Sequence, residues 1–283
     1  QKKDQPGAAG AGKSLSRLIS LEAAASGMAG VAASLLLLWS MDGVIIVQVC
    51  VGVVPVILAL LLVEVPRSPR ETSHRDNLRQ IFELLLLGKP VVFWTAFAIT
   101  VFGLLAIYVF WIYQKYWELQ AVPLAHFGYI WAGFALVVSV SARFTAALEQ
   151  RLGTRGLLCL IATLPLVGLL GMAFGSGWAG VLFGLLIQVS RGVSMSLFYE
   201  ALNSRIPGDF RATVNSLVSL AVRAIFIVSG PALGYTLDSL GMRATLLGLA
   251  ALFTPLLGLV LVPLVLRIHR ERTTADAVGL PAG

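Results

Sequence analysis

Eight apolar runs, each long enough to cross a bilayer, limit what this chain can fold into: residues 18–39, 43–63, 91–113, 124–147, 156–175, 179–202, 212–236 and 244–266. About 20 apolar residues in a helix span the ~30 Å hydrocarbon core of a membrane. None of the runs alternates polar and apolar residues in the ~10-residue segments of a membrane β-barrel. The expected fold is therefore all-α, a polytopic membrane helical bundle with eight transmembrane helices. Composition agrees. Of the 283 residues, 58% are hydrophobic and 12% charged, against roughly 25% charged in soluble domains. The lipid bilayer is the expected partner along every run.

The net charge of +7 does not point to nucleic acid, because its distribution follows membrane topology. Cytoplasmic loops collect Lys and Arg. With residues 1–17 placed in the cytoplasm, 17 of the 21 basic residues fall on that side, and only Lys115 and Arg243 fall outside. A missed or invented span would invert every later loop, so the split also supports the span count. It predicts a multi-pass protein of the inner (plasma) membrane with both termini and the 64–90 connection in the cytoplasm. Within that connection Leu78, Ile81, Phe82 and Leu85 repeat at helical spacing among Arg75, Asp76, Arg79 and Glu83. That pattern predicts a short amphipathic helix on the membrane surface. Residues 1–17 are expected as a mobile loop, and the residues after Leu266 as a frayed polar tail. The chain begins at Gln1 rather than Met, so its true start is expected to lie upstream.

The two remaining basic residues, Arg191 and Arg223, lie inside apolar runs. Arg191 is 12 residues from Ala179 and 14 from Arg205, and Arg223 is 12 from Arg211 and 15 from Asp238, about 18–22 Å of helix, so both lie near the bilayer midplane. A charge there is costly unless it faces protein, water or a partner. Gln188, Arg191, Met195 and Phe198 share one helical face by their 3-, 4- and 3-residue steps, which suits a solute cavity with one cationic contact. The alternative is a structural arginine tied to backbone carbonyls between helices. Arg223 lies one and two turns beyond Ser219 and Ser216, which leaves a packing network open for it.

Tyr108, Trp111 and Gln114 step by three residues at the outer end of their span, beside Tyr113, Tyr116 and Trp117. The set reads either as an interfacial aromatic belt or as an outer vestibule with Gln114, Trp111 and Tyr108 as solute contacts. Ser26, Gly30 and Ser34 are small residues at four-residue spacing, which predicts close helix packing. Glu22, about one turn inside its span, is expected to pair with Arg17 or a neighbouring loop, and Glu200 to form a gate or loop salt bridge. Cys50 and Cys159 are read as core residues. The three histidines have no metal spacing, no nucleophile and base share one depth, and no phosphate-binding loop is present. The expected protein is not an enzyme and uses no metal or cofactor.

The spans group as two, then the long basic connection, then six. Within the six, the connection Ala146-x3-Gln150-Arg151-x-Gly153-x-Arg155 is echoed three helices later by Gly234-x3-Asp238-x2-Gly241-x-Arg243. Such recurrence on opposite membrane faces is the mark of an inverted triplet repeat. At these residues the chain resembles the major facilitator superfamily. Leu148–Arg155 resembles that family's loop signature, with Gln150 in place of its Asp and Ala146 in place of its Gly. Ile206-Pro207 with Arg211–Ser216 resembles a segment common in bacterial members, and Gly230-Pro231-x2-Gly234 the family's Gly-Pro bend.

The resemblance covers nearly the whole chain, as spans five to twelve of a twelve-helix plan. It implies that residues 1–63 hold the last two helices of an N-terminal half with the preceding loop, and 64–90 the cytoplasmic central loop. Residues 91–266 would be a six-helix C-terminal half, and 267–283 a cytoplasmic tail. It implies a partial major facilitator fold that functions only with a missing N-terminal part. The implied function is secondary active transport of a small-molecule solute by alternating access. An organic anion coupled to protons is expected, with Arg191, Gln188 and Arg223 as solute contacts and Gln150, Arg151, Gly153, Arg155, Asp238 and Gly241 in gating or loop motifs. Drug efflux by antiport is the rival within transport. The span holding Ser26 and Gly30 lacks the proline an antiporter motif would carry there. A non-transporting membrane sensor is the rival outside transport.

Overall fold

A membrane-crossing chain must satisfy its backbone polar groups internally, so its long apolar runs coil into helices. The computed structural model describes residues 8–63, 83 and 90–277, and every long element among them is α-helical. The helices are α1 (Ala8–Leu37), α2 (Met41–Leu61), α3 (Pro90–Leu119), α4 (Phe127–Arg143, after a 3₁₀ turn at Leu124–His126), α5 (Thr145–Phe174), α6 (Gly177–Asn203) and α7 (Gly208–Ala277).

Among the described residues seven helices are long and apolar enough to cross a membrane, against eight expected spans. The difference lies in α7, which is two helices meeting at Gly241, where φ is 80° and ψ 169°. Either arm exceeds the ~20 residues a span needs. Gly153 breaks α5 in the same way, with φ 68° and ψ 163°. An L side chain is strongly disfavoured in that region, so glycine is required at both points. These are the two glycines that occupy equivalent positions in the echoed loop motif. The sequence repeat is therefore also a repeat of backbone conformation.

The core lies around α3 and α6. α3 packs on α6 and α7, α6 packs on α4 and α5, and α5 packs on α7. α1 lies along α4, where the stripe of small residues closes the distance. A Cβ on Gly128 would meet the Gly30 carbonyl oxygen at 2.0 Å and the Ser34 hydroxyl at 2.3 Å. The Ser20 and Ser139 hydroxyls sit 2.7 Å apart across the same seam, and Trp131 Nε1 donates to Ser26 Oγ at 3.0 Å. α2 touches little besides α1 and has no buried residue.

Several expectations change here. Residues 8–17 are helical rather than loop, since Ala8, Ala9, Ala11, Lys13 and Leu15 are good helix formers. Helix α7 continues past Leu266 to Ala277, because no Gly or Pro interrupts residues 267–277. Tyr113, Tyr116 and Trp117 form no interfacial belt. They are 2%, 1% and 2% exposed, with Tyr113 donating to the Gly184 carbonyl and Tyr116 to that of Met172. Cys50 and Cys159 are exposed on the outside of the bundle rather than in the core. A lipid-facing surface is as apolar as an interior, so apolar surroundings in sequence do not report burial. The amphipathic segment predicted around Leu78–Leu85 falls, apart from Glu83, outside the described residues.

Candidate functional site

The neighbours of Arg191 fix how α6 presents it. Ser190 Oγ donates to the Ile161 carbonyl of α5 at 2.6 Å. On the other side, a Cβ on Gly192 would meet Ser141 Oγ of α4 at 2.1 Å. The helix is thus held against α5 and α4 at the two residues flanking Arg191, and one of the two spaces that Arg191 borders lies toward α3 and α7.

There it borders a cavity of about 290 Å³ between α3, α6 and α7. Arg223 of α7 borders the same cavity, with Ser219 and Val222 beside it. Ile99, Phe102, Ile107 and Phe110 of α3 and Met195, Phe198 and Tyr199 of α6 complete an apolar and aromatic wall. The Phe102 and Phe198 rings pack at 5.4 Å between centroids. Among the described residues no acidic one lines the cavity.

Three other arginines in this half of the chain have partners, while Arg143, Arg151 and Arg155 are exposed. Arg205 Nη1 donates to the Ala201 carbonyl at 2.8 Å, Arg211 Nε donates to that of Ile206 at 3.1 Å, and Arg243 lies 4.6 Å from the centre of the Phe174 ring. Among the described residues, the side chains of Arg191 and Arg223 make no hydrogen bond or ion pair with protein; the one described ion pair is Lys115–Glu118. The carbonyl ties that a structural arginine would require are not formed.

A second cavity of about 80 Å³ lies on the opposite side of Arg191, between α1, α4 and α6. Glu22, Ser26, Trp131, Gln188, Arg191 and Met195 are among its lining residues. Arg191 and Met195 thus separate the two spaces. Gln188 is 3% exposed and its Oε1 has no hydrogen-bond partner. Glu22 lies where the sequence places it, about one turn inside the apolar span Arg17–Leu37 of α1, and it makes no ion pair with Arg17. Its place beside Arg191 was not visible in the sequence. An intramembrane carboxylate is itself a functional signal, but which residues of α1 face α6 is set by helix packing that spacing along one helix does not report.

The predicted outer set separates. Tyr108 is buried, and its hydroxyl pairs with that of Ser229 to join α3 to α7. Trp111 is exposed and stacks on Phe226 beside an apolar cavity of about 460 Å³ at Gly230-Pro231. Gln114 is exposed and lines neither arginine cavity. At the loop motifs, Gln150, Arg151, Arg155 and Asp238 are exposed, while Gly153 and Gly241 hold the two left-handed breaks. Glu149 Oε1 accepts from Thr154 Oγ1 at 2.9 Å across the first break. Glu200 is exposed and forms no salt bridge among the described residues. No group of three potential metal ligands occurs among them.

Comparison with protein families matches the chain to the family described as Major Facilitator Superfamily, over residues 11–231. The chain belongs to the Major Facilitator Superfamily. Members of this superfamily are secondary transporters rather than enzymes, and the long apolar helices agree with a multi-pass membrane protein. No curated relative matches the chain.

Proposed function

We propose that this superfamily member moves a small organic anion across the membrane by alternating access, with the anion held at Arg191 and Arg223. One observation carries the reading: two guanidinium groups without protein partners border one cavity that no carboxylate lines. Two like charges facing one space of low dielectric repel each other, and an anion between them relieves that repulsion. Arg presents a planar fork of donors that matches a carboxylate. The aromatic wall suits an apolar body attached to the anionic head.

Cavity size favours a small solute over a large drug. Ligand pockets for drug-sized molecules run ~300–1,000 Å³, and this space is about 290 Å³. Coupling to a proton gradient belongs to the same proposal. The coupled ion shifts the balance between inward- and outward-facing states only to the extent that it binds them differently. The division of the chain at residues 64–90, with a six-helix unit following, also belongs here, supported by the spacing of the echoed glycines. So does the placement of both termini in the cytoplasm of an inner-membrane protein, supported by the 17-to-2 basic bias.

Proteoliposomes that hold this chain joined to the N-terminal part its family resemblance implies test the reading; residues 1–283 alone are expected to carry no saturable flux. Labelled monocarboxylates are expected to enter in a saturable way, with uptake raised by an inward proton gradient. Uptake of organic cations but not of carboxylates would reject it and favour the efflux alternative.

A further inference from the structure

The smaller cavity gives Arg191 a second possible partner. Arg191 is the only basic residue lining it and Glu22 the only acidic one. α4 contributes Trp131, Phe134, Ala135 and Val138, none of them titratable, and the charged Arg17 and Arg143 near this seam are exposed and line neither cavity. The carboxylate and guanidinium do not touch, since no ion pair forms between them within 4.0 Å. The space between them is polar. Gln188 lines the same space, is 3% exposed, and its Oε1 has no hydrogen-bond partner. At ~30 Å³ per water, the cavity of about 80 Å³ has room for a bridge between these groups.

We infer that Glu22 is a positioning residue for Arg191, a resident counter-ion that the solute displaces. The inference rests on the anion site proposed above. A guanidinium offers five donors on one planar group, so Arg191 can face Glu22 through the small cavity or a solute carboxylate through the large one. With the large cavity empty, Glu22 balances the charge of Arg191 within the membrane. A bound anion takes over that role, and the negative charge of Glu22 then opposes the anion across a few ångströms of low dielectric. When the anion leaves, Glu22 regains its partner, so the site resets without leaving a bare cation at the midplane. Glu22 thereby weakens solute binding and speeds solute release. Gln188 supplies the neutral acceptor that keeps the bridge in place.

The test uses the whole chain in lipid nanodiscs with benzoate as the probe, chosen because the large cavity pairs cations with phenylalanine rings. Glu22→Gln is expected to bind benzoate about three- to tenfold more tightly than wild type and to release it more slowly. Glu22→Asp, which keeps the charge, is expected to stay near wild type. Unchanged or weaker binding in Glu22→Gln overturns the inference, because a merely structural glutamate has no reason to restrain the ligand. A second measurement needs no ligand: melting temperatures of Glu22→Gln, Arg191→Gln and the double variant. Coupled groups give a double variant less impaired than the sum of the two singles, and additive shifts overturn the pairing. If benzoate binds no form of the protein, the anion proposal falls, and the melting-temperature cycle alone decides the Glu22–Arg191 pairing. Should Glu22→Gln not reconstitute, Glu22→Met removes the charge at similar length and takes its place.

Discussion

Arg191 is the residue on which a binding role and a structural role make opposite predictions. A structural arginine is held by carbonyls, and removing it leaves them unpaired. Here the flanking residues, not the arginine, hold the helix: Ser190 bonds to Ile161, and Gly192 packs against Ser141. Arg191→Ala is therefore expected to abolish solute uptake while shifting the melting temperature by only a few degrees, about 1 kcal/mol or less. Arg191→Lys is expected to restore uptake in part, because a point charge lacks the planar fork. A variant that transports normally, or that fails only through loss of folded protein, would remove the binding role. The depth of Arg191 and its shared face with Gln188 and Met195 were legible from spacing alone. The neighbourhood of Arg223 was legible only in part: Ser219 joins it at the cavity, while Ser216 does not line it. The depth of Glu22 was legible but its place beside Arg191 was not, because the contact between α1 and α6 is set by packing and not by spacing along either helix.

Elements show where hydropathy stops being informative. Helix α2 has the highest mean hydropathy of the candidate spans, 3.0, and none of its window is buried; α3 at 2.2 is 61% buried. In lipid both faces of a helix are apolar, so packing is read from small residues rather than from hydrophobic ones. The Ser26, Gly30, Ser34 stripe carried that information, and it marks the α1–α4 crossing. Gly128→Val is expected to push the two helices apart and cost about 1–3 kcal/mol or more, since even a Cβ would overlap the Gly30 carbonyl. Gly133→Ala, one turn further along α4 with nothing within 4 Å of a new Cβ, is the matched control. It is expected to stabilise by about 0.5–1 kcal/mol through helix propensity. Thermal unfolding of both variants checks the pair, and equal effects would mean that the crossing is looser than described. At the loop breaks the requirement is conformational rather than steric. Gly153→Ala meets open space but must hold φ near 68°, at a cost of order 1–3 kcal/mol.

At the scale of the whole molecule, two lines of argument bear on topology. The basic bias, with 17 of the 21 Lys and Arg residues on one side, supports the cytoplasmic place proposed for the 64–90 connection. The backbone adds a second line. Gly153 and Gly241 adopt the same left-handed conformation in loops three spans apart, and an odd number of crossings between two points places them on opposite faces. Arg151 and Arg155 flank the first glycine, and only Arg243 lies beside the second, the asymmetry expected if the first is cytoplasmic. The two lines agree only if the arm of α7 before Gly241 crosses the membrane, which makes orientation a test of that span as well. Replacing Cys50 and Cys159 by serine and introducing Ser73→Cys gives one reporter thiol in the connection. A membrane-impermeant maleimide is expected to label it in inverted vesicles and not in intact cells. A second reporter, Ser239→Cys beside the Gly241 break, is expected to label from the opposite side. Labelling of both from one side would mean that an odd number of crossings does not separate them, and the placement of spans between the connection and the Gly241 break would be wrong.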